Sequence, residues 1–127
     1  SAANTIAGTA SLGMSSGFIG KIANDSFGDI FANDLSKMNI KLFGQPLNND
    51  TPTGKCIVLI TPDAERTMNT LIGAAAFITP EDLDAEVLKQ TKVFFAEGYL
   101  FDSPQGVETF FKACNMVHAG GGKVVLS

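Results

Sequence analysis

The fold class is indicated most clearly by Val93-Phe-Phe-Ala-Glu-Gly-Tyr-Leu-Phe-Asp-Ser-Pro104 together with Lys123-Val-Val-Leu126 further along the chain. The apolar residues that begin at Val93 are typical of a short buried strand. Ser103 and Pro104 favour the start of a helix, which the pattern continues to about Ala119. Three glycines end that helix before the second apolar run. A strand, a helix and a strand in this order predict a parallel βαβ unit and therefore an α/β fold.

The first part of the chain shows the same alternation. A helix is predicted over residues 1–12, a strand over Gly17–Ile22 and another strand over Ile40–Phe43. Between these strands, Asp25 or Ser26 caps a helix. The apolar positions of that helix follow the helical period: Phe27, Ile30, Phe31, Leu35 and Met38. The pattern predicts helices packed on a mainly parallel central sheet.

One pair of strands interrupts the alternation. Lys55–Thr61 is strongly apolar, Pro62-Asp63-Ala64-Glu65 has the composition of a turn, and Arg66–Leu71 returns as the second strand of a hairpin. We expect this hairpin to stand off the parallel sheet as a lid, within an inserted segment of about residues 40–72. A helix from Thr79 to about Gln90 then leads back to the βαβ unit. Residues 1–127 are therefore expected to form one partial α/β domain.

Composition narrows the possible functions. The 127 residues are 45% hydrophobic, which suits one globular domain or a piece of one. The formal net charge is −4 and Lys and Arg do not cluster, which argues against nucleic acid as a partner. No apolar run is long enough to cross a bilayer, and the first residues do not resemble a signal peptide. We therefore expect no membrane partner. A cytoplasmic location is expected because both cysteines are interpreted as reduced thiols.

The residues that could suggest a metal or nucleotide site do not predict one. Cys56 and Cys114 are interpreted as reduced thiols of the core, and their spacing does not match metal ligands. The single histidine, His118, is expected at the surface near a helix end. Gly120-Gly121-Gly122-Lys123 is similar to a phosphate-binding loop, but a strand follows it where such a loop needs a helix.

Four segments, in this order along the chain, resemble motifs of the ribokinase-like (pfkB) family of carbohydrate and nucleoside kinases. The first, Ser1-Ala2-Ala3-Asn4, is similar to the end of the family's Gly-Gly-Ser-x-x-Asn motif, and the second, Phe18-Ile19-Gly20 with Asp25-x-x-Gly28, is similar to the next strand and helix start. The third, Pro52-Thr53-Gly54-Lys55-Cys56 with Asp63 and Arg66, is similar to the lid hairpin of adenosine kinases. The fourth, Glu97-Gly98-Tyr99, is similar to the strand end that faces the acceptor pocket. The resemblance depends on the ordered set, because none of these motifs is specific alone.

The resemblance implies a three-layer ribokinase-like fold and an enzyme that transfers a phosphoryl group from ATP, with Mg²⁺. The acceptor would be a primary hydroxyl of a nucleoside such as adenosine, or of a sugar. The resemblance also implies that the catalytic base, in the family's Gly-Ala-Gly-Asp motif, and most of the ATP site lie outside the 127 residues. The chain alone is therefore expected to be inactive. A non-catalytic ligand-binding or dimerisation module of the same fold is the alternative, and a homodimer through the lid is possible in either case.

The resemblance also assigns candidate site residues: Ser1, Asn4, Cys56, Met68, Thr70 and Tyr99 for acceptor binding, and Arg66 for catalysis. Ser1 and Asn4 would face the acceptor's hydroxyls, or would only begin the first helix. Arg66, the only arginine, would meet charge on the transferring phosphoryl group, or would be a solvated hairpin residue.

For the remaining candidates two interpretations also stay open. Met68 and Thr70 alternate on one strand, so they share a face that could cover the acceptor or could simply pack. Tyr99 could stack on a nucleobase or cap the core. Cys56 could line the pocket or pack, and Glu97 could orient loops or lie near a cation.

Overall fold

The structure is a computed structural model that describes residues 2–127. Its helices are α1 (Ala2–Ser11), α2 (Ser26–Lys37), α3 (Ala85–Gln90) and α4 (Pro104–Ala119). Its strands are β1 (Gly17–Ile19), β2 (Lys41–Phe43), β3 (Lys55–Ile60), β4 (Arg66–Leu71), β5 (Val93–Ala96) and β6 (Lys123–Leu126). Short 3₁₀ helices lie between them at Gly73–Phe77, Pro80–Asp82 and Gly98–Asp102.

The strand pairing confirms the predicted α/β class. β1 pairs in parallel with β2, with Gly17 opposite Lys41, and α2 connects the two strands. β5 pairs in parallel with β6, with Val93 opposite Lys123, and α4 connects them. Each pair with its helix is the βαβ unit that the alternation predicted. Within the predicted lid segment, about 40–72, β2 belongs to the first of these units and the hairpin occupies residues 55–71.

The long helices begin where the sequence places their caps. The Asp25 carboxylate accepts a hydrogen bond from the Gly28 amide at 2.8 Å, which fixes the first turn of α2. The Ser103 hydroxyl accepts from the Gly106 amide at 3.0 Å, and Pro104 follows in the first turn of α4. Each cap satisfies an amide that the helix itself leaves without a partner.

The core lies between α4 and the β5–β6 pair. Leu88 of α3 and Val117 of α4 are 1% and 0% exposed, and Ala113 packs with them. Phe94, Val124 and, from the first βαβ unit, Ile19 are among the side chains that pack against this cluster. Burying a side chain the size of leucine contributes about 1.5–3 kcal/mol, so this cluster ties the two units together.

The predicted helix from Thr79 to Gln90 is wrong in one respect, because the chain forms two elements there. The 3₁₀ helix Pro80–Asp82 is held by a capping box with Thr79, and Leu83 is then extended at φ −84° and ψ 130°. Asp84 caps α3 anew, its Oδ1 accepting from the Glu86 and Val87 amides at 3.1 Å each. Two successive capping residues therefore divide what the composition indicated as one helix.

The apolar pattern of α2 predicted the inward face only in part. Leu35 is buried at 3% exposure, but Phe27 and Ile30 are 51% and 56% exposed. Phe27 instead lies under the ammonium group of Lys55, with Nζ 5.0 Å from the ring centroid. The outer part of this face therefore meets the start of the hairpin and not the core.

The hairpin confirms the prediction for residues 55–71. β3 and β4 pair antiparallel over six residues each, from Lys55 opposite Leu71 to Ile60 opposite Arg66. Thr61 and Glu65 close the turn through a 3.0 Å backbone hydrogen bond, and Ala64 takes a positive φ of 66°. All residues of both strands are exposed, so the hairpin stands off the parallel layers as expected.

Candidate functional site

The antiparallel register places four predicted site residues on one face of the hairpin. Residues directly opposite in such a pair project to the same side, and neighbours along a strand project to opposite sides. We call the side that contains the predicted residues the Cys56 face, made up of Cys56, Val58, Ile60, Arg66, Met68 and Thr70. The other side is the Ile57 face, made up of Lys55, Ile57, Leu59, Thr67, Asn69 and Leu71.

The Cys56 face is mostly apolar, with one cation at its outer end. Val58 and Met68 lie opposite each other and are 46% and 60% exposed, and Ile60 is 72% exposed. The Thr70 hydroxyl donates to Cys56 Sγ at 3.2 Å, so its proton is already used within the face. Arg66 lies opposite Ile60 beside the turn. Such a surface suits a flat, largely apolar ligand that carries negative charge at one end.

The prediction that both cysteines are core thiols holds for Cys114 and is wrong for Cys56. Cys114 is buried in α4, and this burial raises the pKa of its thiol. Cys56 is exposed, because neither face of the hairpin is covered within residues 2–127. His118 is exposed in the last turn of α4, as predicted.

Asn4 and Tyr99 lie on other elements. Asn4 is exposed in α1, and Tyr99 is 78% exposed in the 3₁₀ helix that follows β5, so Tyr99 does not cap the core. Glu97 is half-buried immediately before that helix. In the part of the chain that the structure describes, no hydrogen bond or ring contact joins Asn4 or Tyr99 to the Cys56 face. Their convergence on one acceptor pocket therefore stays a prediction, and Ser1 lies outside the described residues.

A buried ion pair that the sequence did not reveal fixes the end of β1. Lys21 Nζ lies 2.9 Å and 2.8 Å from the two oxygens of Asp82, and the two side chains are 12% and 3% exposed. The Asp82 carboxylate also accepts from the amides of Thr79 at 2.9 Å and Gln45 at 3.4 Å. Burial raises the pKa of Asp82, but the hydrogen bonds from Lys21 and Thr79 outweigh burial and hold the pKa below 3.8. The capping-box pattern at Thr79–Asp82 gave the only local signal for this residue.

A second connection missed by the sequence links the start of α2 to the start of the hairpin. Besides capping α2, the Asp25 carboxylate accepts from the Thr53 amide at 2.9 Å. The hydroxyl of Thr53 in turn accepts from the Ala23 amide at 2.9 Å. The Asp25-x-x-Gly28 motif signalled the cap, but nothing in it indicated the contact with residue 53.

Two arrangements that often bind a metal ion or a nucleotide are absent from the described residues. Residues 2–127 contain no group of three or more His, Cys, Asp or Glu side chains that could hold a metal ion. The glycines at 120–122 lead into β6 and not into a helix, which excludes the usual phosphate-binding arrangement there. No helix within residues 2–127 is long and apolar enough to cross a membrane.

The sequence matches the family model of the pfkB family carbohydrate kinases over residues 1–127. The adenosine kinase of Saccharomyces cerevisiae is 34% identical over 93 residues, which are 71% of this chain and 27% of that protein. The Arabidopsis thaliana protein named probable fructokinase-6, chloroplastic, is 33% identical over 94 residues, which are 72% of this chain and 24% of that protein. The chain thus spans about a quarter of the length of these relatives.

Solved structures agree with the sequence match. The crystal structure of adenosine kinase from Sinorhizobium meliloti superimposes with a TM-score of 0.91 at 38% identity, covering 98% of this chain and 38% of that one. An E. coli protein named putative Ribokinase II, solved in complex with ATP and Mg²⁺, superimposes with a TM-score of 0.87 at 28% identity, covering 98% of this chain and 40% of that one. The fold is therefore ribokinase-like, and the chain belongs to the pfkB family of carbohydrate kinases.

Proposed function

We propose that this chain is the acceptor-side part of an ATP-dependent kinase whose acceptor is a nucleoside, with adenosine first and sugars such as ribose or fructose behind it. The observation that carries the proposal is the composition of the Cys56 face. Cys56, Arg66, Met68 and Thr70 lie together on it, within a chain of the pfkB family. In the full-length protein, by which we mean a protein that contains these 127 residues, this face would close over the acceptor.

The chemistry of the face favours a nucleoside over a free sugar. A sugar brings several hydroxyls, and each one that is covered without a hydrogen-bond partner costs about 1–3 kcal/mol. The side chains of Val58, Ile60 and Met68 offer no such partners. A nucleobase instead offers a flat apolar surface, which burial on this face would stabilise.

The remaining candidate residues would bind the other parts of a nucleoside. The Asn4 amide both donates and accepts, which suits vicinal ribose hydroxyls, with Ser1 beside it. Tyr99 would stack on the base, since its ring is exposed just past the carboxyl end of β5, the edge at which open α/β sheets bind ligands. Arg66 would face the phosphoryl group during transfer, where a fixed cation lowers the barrier most.

Most of the site for ATP and Mg²⁺ would lie outside these residues, since residues 2–127 contain neither a cluster of metal-ligating side chains nor a glycine loop that leads into a helix. For the same reason we propose that these 127 residues alone are inactive, since positioning both substrates can supply about 7–11 kcal/mol of the barrier reduction and needs both halves of the site. The free thiol of Cys56 fits the reducing cytoplasm, where we place the protein.

The test is a phosphoryl-transfer assay of the full-length protein with ATP and Mg²⁺, comparing adenosine, ribose and fructose. We expect phosphorylated adenosine with the highest kcat/KM. A higher kcat/KM for a sugar would overturn the choice of acceptor but would still support the proposed kinase activity. Acceptor binding without any turnover would favour the non-catalytic module of the same fold.

The Ile57 face gives a specific reason to propose, in addition, a homodimer through the hairpin. Ile57, Leu59 and Leu71 on this face are 63%, 55% and 46% exposed. A second copy would remove this apolar surface from water and leave the Cys56 face available to the acceptor.

A further inference from the structure

We propose that Asp25 is a positioning residue for the reaction: its carboxylate fixes the direction in which the hairpin leaves the domain, and therefore how the Cys56 face meets the acceptor. The inference rests on the proposed function, since it assumes that the hairpin covers a substrate. Asp25 itself would touch neither substrate and would act through the hairpin.

The carboxylate of Asp25 uses each of its oxygens for a different element. Oδ1 accepts from the Gly28 amide at 2.8 Å at the start of α2, and Oδ2 accepts from the Thr53 amide at 2.9 Å, two residues before β3. Hydrogen bonds to a charged acceptor are about twice as strong as neutral ones. These amides, that of Thr53 foremost, lower the pKa of Asp25 below 3.8, so the carboxylate is ionised at neutral pH.

The side chain of Thr53 completes the connection. Its hydroxyl accepts from the Ala23 amide at 2.9 Å, and both residues are buried, at 7% and 5% exposure. A Cβ on Gly28 would lie 2.2 Å from the Ala23 carbonyl oxygen and 3.0 Å from Thr53 Oγ1. Only glycine at this position lets α2 approach Thr53 so closely.

The returning strand is fixed at the same point. The Ala74 amide donates to the Pro52 carbonyl at 2.8 Å, and Ala74 is 0% exposed. Gly73 has a positive φ of 56°, and a Cβ there would lie 2.2 Å from the Pro52 carbonyl oxygen. We call residues 52–54 and 72–74 the hairpin foot. Since every residue of β3 and β4 is exposed, contacts at the foot set the direction of the hairpin.

Asparagine at position 25 removes one of the two connections and keeps the other. Its single amide oxygen can accept from Gly28 or from Thr53, and its NH₂ group then faces an N–H that also donates. Asp84→Asn is the matched control, because Asp84 caps α3 through Oδ1 alone. The asparagine oxygen can keep both of those bonds, and α3 has no part in the hairpin foot.

The kinetic test compares Asp25→Asn with Asp84→Asn in the full-length protein. We expect Asp25→Asn to raise the KM for adenosine and to lower kcat/KM for adenosine by roughly tenfold, with the KM for ATP unchanged. Asp84→Asn should stay within about twofold of wild type. Thr53→Val should change the kinetics in the same way as Asp25→Asn. Thr53→Ser, which keeps the hydroxyl, should keep the wild-type kinetics. Unchanged adenosine kinetics in Asp25→Asn would overturn the inference. A lower kcat with both KM values unchanged would also overturn it, because a smaller fraction of folded protein, and not a misplaced hairpin, gives that result.

Hydrogen exchange of the same variants separates this inference from the proposed function. We expect amides over residues 53–60 to exchange roughly tenfold faster in Asp25→Asn than in wild type, but not in Asp84→Asn. A wild-type protein without kinase activity would overturn the proposed function and the positioning role together. In such an inactive protein, faster exchange in Asp25→Asn alone would still establish that Asp25 holds the hairpin. Equal exchange in Asp25→Asn and Asp84→Asn would overturn this role of Asp25, whether or not the protein is active.

Discussion

Replacing Asp82 with asparagine should destabilise the protein far more than replacing Asp34, which belongs to a similarly short but exposed ion pair. Asp82 and Lys21 are 2.8 Å apart with side chains 3% and 12% exposed. Asp34 and Lys37 are 2.9 Å apart with side chains 57% and 76% exposed. The distances are nearly equal, so burial decides the difference.

The magnitude follows from what each substitution leaves behind. Asp82→Asn leaves the Lys21 ammonium group buried without its counter-charge, which typically costs about 3–5 kcal/mol. Asparagine can still accept from the Thr79 amide, so we expect the lower end, about 3 kcal/mol. Asp34→Asn removes an exposed pair and should cost no more than about 0.5 kcal/mol.

The assay is urea denaturation of the full-length variants followed by circular dichroism. Lys21→Met, combined with Asp82→Asn, completes a double-mutant cycle. We expect the double variant to be less destabilised than the sum of the single variants, because it removes both charges together. A free energy of unfolding for Asp82→Asn within about 0.5 kcal/mol of that for Asp34→Asn would show that the buried ion pair contributes no more to stability than the exposed one.

Three further predictions concern pH, catalysis and assembly. The folded-state pKa values of Asp25 and Asp82 both lie below 3.8, so their contribution to stability is complete above that value and is lost as the pH falls through the lower native pKa values. The free energy of unfolding should therefore decrease on acidification below about pH 4, and less steeply in Asp82→Asn; an identical slope would contradict this. Arg66→Ala should lower kcat at least about tenfold with a smaller rise in KM, and Arg66→Lys should recover part of it; unchanged kcat would make Arg66 a binding residue only. Leu59→Lys should convert the proposed dimer to a monomer by light scattering, and a dimer that survives the substitution would exclude the Ile57 face.

The fold was predictable where local chemistry leaves little choice. An apolar strand before Pro62-Asp63-Ala64-Glu65 and an alternating one after it permit few structures other than a hairpin, and the structure has one. Caps at Asp25 and Ser103 were readable because a cap bonds an amide three residues away. The division between Pro80–Asp82 and α3 could not be predicted, since Asp82 and Asp84 both suit a first helical turn.

Contacts between residues far apart in the chain could not be predicted from the sequence. Lys21 and Asp82 are separated by 61 positions, and Asp25 and Thr53 by 28, so no periodicity relates them. The exposure of Cys56 was mispredicted because an apolar run indicates burial but not what covers it. The grouping of Cys56, Arg66, Met68 and Thr70 on one face became clear only with the strand register.

Closure of the Cys56 face over the acceptor can be measured directly at the Cys56 thiol. The alkylation rate of Cys56 in the full-length protein would be followed by peptide-resolved mass spectrometry, with and without adenosine, and buried Cys114 serves as an internal reference. At adenosine ten times its Kd, about nine-tenths of the protein is bound, so we predict an approximately tenfold slower reaction. A cysteine placed on the Ile57 face, Thr67→Cys in a Cys56→Ser background, should react at the same rate with and without adenosine. An alkylation rate of Cys56 that adenosine does not change, or protection of position 67 instead, would show that the Cys56 face does not cover the acceptor.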